Sequence, residues 1–183
     1  MKKHNLAFID LETTGLDPER QEIIEIGGLI VKQIPRPSKG PRVEVIDEFE
    51  FKVKPTHLET AEPEALRVNG YNDADWLFAS DLGQVMKVIG DKTAGANMVG
   101  QNVFFDWGFL HQAFKKTGIP NKMHHHRIDV ITMAFTKLYH DDSIQRFFLG
   151  ALAEHFGLKN NRAHSALADI KVTFEIYKKL LEI

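Results

Sequence analysis

Short apolar runs separated by turn signals fill the first third of the chain, and helical spacing of apolar residues dominates the remainder. Residues 6–12 read as a strand bounded by the turn "TTGLDPE". Residues 22–31, "EIIEIGGLIV", read as a second strand, and residues 43–53, "VEVIDEFEFKV", alternate as a third. Between the last two, "IPRPSKGPR" carries three prolines and a glycine, which predicts an exposed, elongated connection between antiparallel strands. Residues 62–71 predict a short helix stopped near Gly70, and residues 79–91 a helix starting at Ser80 or Asp81. "NMVGQNV", 97–103, predicts a buried strand that hands over to a helix ending at Gly118. A strand end at "RIDV" is followed by helices over "VITMAFTKLYH", "LGALAEHFGL" and residues 165–183. In the last of these, Leu167, Ile170, Phe174, Tyr177 and Leu181 form one stripe. Three strands followed by alternating helices and strands predict an α/β fold, a mixed sheet covered by helices, within one domain spanning residues 1–183.

Composition narrows the chemistry. The 183 residues are 43% apolar and 26% charged, a globular balance with a sizeable core. The absence of cysteine excludes disulfides, zinc–thiolate sites and cysteine nucleophiles, and fits a cytoplasmic setting. No apolar run is long enough to cross a bilayer, so no membrane partner is expected. A net charge of −2 weighs against tight, non-specific duplex binding, so a polyanion must be met by a local patch or bound metal.

Against this pattern, four acids are out of place. Asp10 and Glu12 lie within the first apolar run, on the same side of a strand and about 6 to 7 Å apart. Asp106 follows a buried strand, and Asp169 sits beside the apolar stripe of the last helix. Each has an ordinary reading on its own: a turn residue, a helix-start residue, a flanking surface acid. Together, on separate elements that each abut a core pattern, they imply a divalent cation held by hard oxygen ligands. The run "HHHR" at 124–127 reads as a solvated loop, because consecutive side chains do not readily converge on one ion. Asp129, at a strand end, reads as the cap of the following helix.

"DLETTG" at 10–15, "GQNVFFD" at 100–106 and "HSALAD" at 164–169 occur in the order of three exonuclease motifs. They resemble those of the DEDDh family of 3′→5′ exonucleases, which includes the proofreading subunit of bacterial replicative polymerase, ribonuclease T and oligoribonuclease. The likeness runs from about residue 6 to residue 180. It implies a ribonuclease H-like fold with a mixed five-stranded sheet flanked by helices. It further implies that Asp10, Glu12, Asp106 and Asp169 hold two Mg²⁺ ions, for which Mn²⁺ can substitute, and that His164 is the general base. The sister subtype would place Tyr at the position of Ser165, so the His subtype is indicated. Five helical residues turn by roughly 140°, so His164 belongs to a non-helical approach, with the helix starting near Ser165.

Substrate contacts are expected from Leu16 packing on the terminal base, from backbone donors at Thr13, Thr14 and Gly15, from Asn102, and from Phe105 or Phe104 stacking on a base. The sequence departs from the family at Gln101, where His is frequent, and at Ser165, where Arg is frequent. Neither change removes a metal ligand. The expected activity is release of nucleoside 5′-monophosphates from single-stranded 3′ ends, DNA slightly favoured. Digestion of short RNA, a non-catalytic nucleic-acid module and a two-metal phosphatase remain open, as do a polymerase subunit and a homodimer as assembly states.

Overall fold

The computed structural model describes residues 3–36, 39–159 and 165–183. Five strands form one sheet in the order β3-β2-β1-β4-β5. They are β1 (Leu6–Thr13), β2 (Ile23–Arg36), β3 (Lys39–Lys52), β4 (Asn97–Gly100) and β5 (Arg127–Asp129). β1, β2 and β3 form an antiparallel meander, whereas β4 and β5 run parallel to β1. The sheet is therefore mixed. Among the described residues, six α-helices accompany it: α1 (Pro63–Val68), α2 (Leu82–Lys92), α3 (Val103–Thr117), α4 (Val130–Lys137), α5 (Leu149–His155) and α6 (Ala166–Glu182).

The apolar runs that mark β1 and the start of β2 are buried on both faces, which requires a helical layer on each side. Ala7, Ile9 and Leu11 join one core with Val85, Met86 and Ile89 of α2 and Phe109 and Leu110 of α3. Leu6 and Phe8 join the other with Ile170, Phe174 and Tyr177 of α6 and Val130 and Ala134 of α4. Phe8 meets Phe174 and Tyr177 edge-on, at centroid distances of 5.1 and 5.2 Å. The predicted stripe of the last helix is thus the face that α6 lays on the sheet, and Asp10 and Glu12 continue the row of Leu6 and Phe8.

The connection expected over 34–42 is shorter than its prolines suggest. The β2–β3 ladder continues past it, with Ile34 opposite Arg42 and Arg36 opposite Lys39. Register shifts at Ile30/Val31 and Ile34/Arg36 let an edge ladder absorb residues that cannot donate, as Pro35 cannot. β4 ends at Gly100 and not at residue 103, because Asn102 turns into the left-handed region (φ 61°, ψ 50°). That conformation starts α3 abruptly, and Asn tolerates it better than most side chains.

Candidate active site

β1, β4 and β5 point their C-terminal ends the same way, and in an open α/β sheet that end gathers chemistry. Asp10 and Glu12 stand near that end of β1. Asp106 comes from the first turn of α3, which leaves the end of β4. Asp169 comes from the first turn of α6, four residues past Ser165, whose carbonyl accepts the Asp169 N–H at 2.9 Å.

Glycine decides how close α6 approaches. Gly27 of β2 pairs with Asp10. A Cβ at Gly27 would fall 2.2 Å from Leu167 N and 2.4 Å from the Ala166 carbonyl carbon, so only glycine lets the first turn of α6 rest on the sheet there. Two side chains then pin that turn. Ala166 N–H donates to Glu25 Oε1 at 2.9 Å, and Ser165 Oγ donates to Glu50 Oε1 at 3.2 Å. Helix α6 begins directly after Ser165, as the spacing of the third motif requires.

As a result, carboxylate oxygens of Asp10, Glu12 and Asp169 lie within 4.8 Å of one another. Asp106 adjoins them and is almost wholly buried. Its Oδ1 accepts the Leu11 N–H at 3.1 Å, between the two β1 acids. His164 lies outside the described residues.

Burial and mutual repulsion dominate the electrostatics. Desolvation raises the Asp10 pKa well above the usual carboxylate range, and the charges of Asp106, Glu12 and Asp169 raise it further. Glu12 is pushed up to about 8, first by burial and then by Asp169 and Glu25. Asp106 is also raised by burial, against the lowering effect of its backbone hydrogen bonds. Among the described residues, Asp10, Glu12 and Asp106 form no ion pair with Lys, Arg or His. A cluster of this kind either keeps protons or accepts a cation. Its donors are all carboxylate oxygens, which suit a hard divalent ion, so the residues fit the metal that the sequence implies.

Sequence reasoning passed over Glu25. It lies directly opposite Glu12 on β2, is buried, and holds Lys52 Nζ at 3.7 Å. Lys52 in turn sits 3.3 Å above the Trp76 ring. The signal was present, an acid between Ile24 and Ile26 in a run buried on both faces, the same oddity that marked Asp10.

The residues expected to touch substrate separate into two groups. Leu16 is 73% exposed and Asn102 is also exposed. Phe105 is half-buried against Phe109, with ring centroids 5.1 Å apart, whereas its neighbour Phe104 is 67% exposed. Thr13 and Thr14 are buried. Thr13 Oγ1 donates to Gly15 O at 2.7 Å, and Thr13 O accepts from Asn69 Nδ2 at 2.8 Å. The Thr14 N–H donates to Glu22 O at 2.8 Å, so the donor expected to face a sugar is committed within the fold. Asp129 caps α4 through Thr132, and its other oxygen accepts the Val103 N–H at 3.2 Å. It thereby steadies the start of the helix that carries Asp106. Gln101, at the departure from the motif, donates from Nε2 to Phe147 O at 2.7 Å.

The profile described as "Exonuclease" matches residues 7–177. PolC-type DNA polymerase III of Caldanaerobacter subterraneus subsp. tengcongensis is 30% identical over 176 residues, covering 96% of this chain and 11% of that protein. The PolC-type polymerase of Listeria monocytogenes is 28% identical over 177 residues, with the same coverages. The chain therefore spans about a tenth of the length of these relatives. Among solved structures, E. coli exonuclease I in complex with a dT13 oligonucleotide superposes with a TM-score of 0.75 at 20% identity, over 97% of this chain and 40% of that one. An exonuclease I from Methylocaldum szegediense gives the same TM-score, identity and coverages. At that identity the likeness speaks for the fold.

Proposed function

This chain belongs to the 3′→5′ exonuclease family, and from that premise we propose that it acts as one exonuclease domain on single-stranded DNA 3′ ends, releasing nucleoside 5′-monophosphates. The reading rests on the convergence of Asp10, Glu12 and Asp169, with Asp106 buried beside them. These four carboxylates would hold two Mg²⁺ ions. When bound, the ions supply charge neutralisation around the scissile phosphate and help to activate water.

The remaining work falls to the chain. His164 takes the proton of the attacking water. The water oxygen bonds to phosphorus, and the bond from phosphorus to the 3′ oxygen of the penultimate nucleotide breaks. The terminal nucleotide leaves with its 5′-phosphate, and the shortened strand regains a 3′-hydroxyl. Leu16 and Phe104, both exposed at the rim of motifs one and two, offer apolar faces on which terminal bases stack. Glu25, Ser165 and Gly27 fix the turn that presents Asp169.

DNA is favoured over RNA because relatives across almost the whole chain are named DNA polymerases and a structural neighbour holds a dT13 strand. The polymerase relatives also support association with a replicative polymerase, in a cytoplasmic setting. Among the described residues no helix is long and apolar enough to cross a membrane.

Digestion of 5′-labelled DNA and RNA oligomers of matched sequence, with Mg²⁺ or with chelator, tests the proposal. The expected result is a Mg²⁺-dependent ladder growing from the 3′ end of single-stranded DNA. A ladder on short RNA alone would move the assignment to oligoribonuclease-like chemistry, and binding without cleavage would reject catalysis. His164→Ala should lose about 10²- to 10⁴-fold in kcat while retaining metal affinity. A parallel loss of metal would make His164 a ligand.

A further inference from the structure

The N-terminal ends of β1, β4 and β5, the pole of the sheet opposite the carboxylates, carry a second gathering of ligand-bearing side chains. Three separate segments are stapled there by backbone hydrogen bonds. Asn97 N–H donates to Asn5 O at 2.9 Å, Gly95 N–H to Lys122 O at 2.8 Å and His124 N–H to Ala96 O at 2.9 Å. The first segment carries His4, and the third carries His124, His125 and His126.

The sequence suggests divergence for three consecutive histidines, and along a regular strand they would diverge. Residues 121–126 form no regular element, and the chain bends at Met123 and His125. The three rings gather as a result. Their centroids are 4.3 Å apart for His124–His125, 4.9 Å for His124–His126 and 4.1 Å for His125–His126. One ring nitrogen from each lies within 4.8 Å of the other two. The Nδ1 atoms of His124 and His126 are 3.1 Å apart. That contact is a hydrogen bond between the rings, and His124 Nδ1 also accepts the His126 N–H at 3.3 Å. Imidazole nitrogens about 2.0 to 2.1 Å from a tetrahedral ion stand roughly 3.3 Å from one another, so an ion would take the place of the proton between this pair with little movement of the rings.

A fourth imidazole adjoins them. The His4 ring centroid is 4.3 Å from that of His124, and His4 Nδ1 is 2.8 Å from Gly95 O. A carbonyl can only accept, so Nδ1 carries a proton, and in the neutral tautomer this selects Nε2 as the ring nitrogen left for a metal. A histidine held by a backbone carbonyl in this way has the tautomer and orientation of a typical metal ligand.

We propose that His124, His125 and His126, with His4 as the fourth imidazole, bind a borderline transition-metal cation of the Zn²⁺ class, tying the start of β1 to the loop before β5. From Leu6 to Asp10 β1 rises about 13 Å, and His4 lies two residues before Leu6, so the two clusters stand at opposite ends of the strand and are distinct sites. Donor chemistry keeps them apart as well: an all-nitrogen set disfavours Mg²⁺, and an all-carboxylate set favours it.

The test is calorimetric titration of Zn²⁺ into the full chain with Mg²⁺ in large excess, alongside a synthetic peptide of residues 121–127. We expect one Zn²⁺ per chain, bound at least tenfold more tightly than by the peptide. Asp10→Asn should retain it, and His124→Ala, His126→Ala and His4→Ala should each weaken it at least tenfold. The exposed His125→Ala removes a ligand at the surface, where only the His124 and His126 rings pack against it, and should lose the Zn²⁺-induced rise in melting temperature while still hydrolysing oligonucleotide at the wild-type rate. Equal affinity of peptide and folded chain would overturn the proposal, as would Zn²⁺ binding that Asp10→Asn abolishes and the histidine variants leave unchanged.

Discussion

A carboxyl group crowded by other carboxyl groups and shielded from water ionises less readily, and Asp10 illustrates the consequence. Burial and the charges of Asp106, Glu12 and Asp169 all raise its pKa. Replacing it by an isosteric neutral amide removes one repelling charge and one proposed metal ligand. Asp10→Asn should therefore abolish hydrolysis of labelled oligonucleotide, yet melt at the same or a higher temperature than wild type in chelator at pH 8. A lower melting temperature in chelator would show that Asp10 stabilises the metal-free fold. Glu25 has a different role, since one of its oxygens is committed to the Ala166 N–H. Glu25→Ala strands that buried donor and should cost about 1 to 3 kcal/mol in urea unfolding. Glu25→Gln keeps an acceptor in place and should recover most of the loss. Failure of the amide to rescue would assign the effect to the Lys52 pair instead.

At the scale of elements, the site depends on how α6 meets the sheet. The apolar stripe of α6 sets which face turns inward, but the missing Cβ at Gly27 sets how closely its first turn lies over β2. Gly27→Ala forces Ala166 and Leu167 outward and carries Asp169 with them. The expected cost is about 1 to 3 kcal/mol in stability, as for other overpacked contacts. Activity should fall by about 10²-fold, because a displacement on the order of 1 Å in a catalytic group is sufficient for that. Unfolding curves and kcat measured on one preparation check both. Wild-type activity in Gly27→Ala would mean that the turn adapts without moving the carboxylate. The left-handed Asn102 plays a comparable part for Asp106, since it turns the chain that leaves β4 at Gly100 into α3 at Val103.

For the molecule as a whole, the acid cluster links stability to pH and metal. Glu12 rises from 4.5 to about 8 on folding, so the folded chain binds its proton more tightly than the unfolded chain does. That contribution is complete below about pH 4.5 and is lost as pH climbs through 8, up to about 5 kcal/mol for a shift of this size. The metal-free protein should thus melt at falling temperature between pH 5 and pH 8.5. Mg²⁺ should restore the midpoint most strongly at the alkaline end, because it binds the ionised form. Melting curves with Mg²⁺ and with chelator across this range provide the measurement. Parallel curves at all pH values would separate the acids from metal binding.

Much of this protein was legible in its sequence. Among the described residues, apolar periodicity together with turn and stop signals marked the strands and α-helices, although β2 runs five residues further and β3 starts four residues earlier than the pattern indicates; burial of a strand or helix face leaves a period that a linear chain displays. Asp10, Glu12, Asp106 and Asp169 stood out because acids within apolar patterns are costly unless something neutralises them. The sequence alone determined which side chains break the pattern, and so which chemistry the fold must accommodate. Only the tertiary structure decided which of them meet. Pairing of Glu12 with Glu25 follows from strand register, the approach of Asp169 to Asp10 from a missing side chain at Gly27, and the gathering of His124 to His126 beside His4 from a bent loop stapled to β4. Each depends on contacts between residues far apart in the chain, and neither periodicity nor spacing along one segment encodes them.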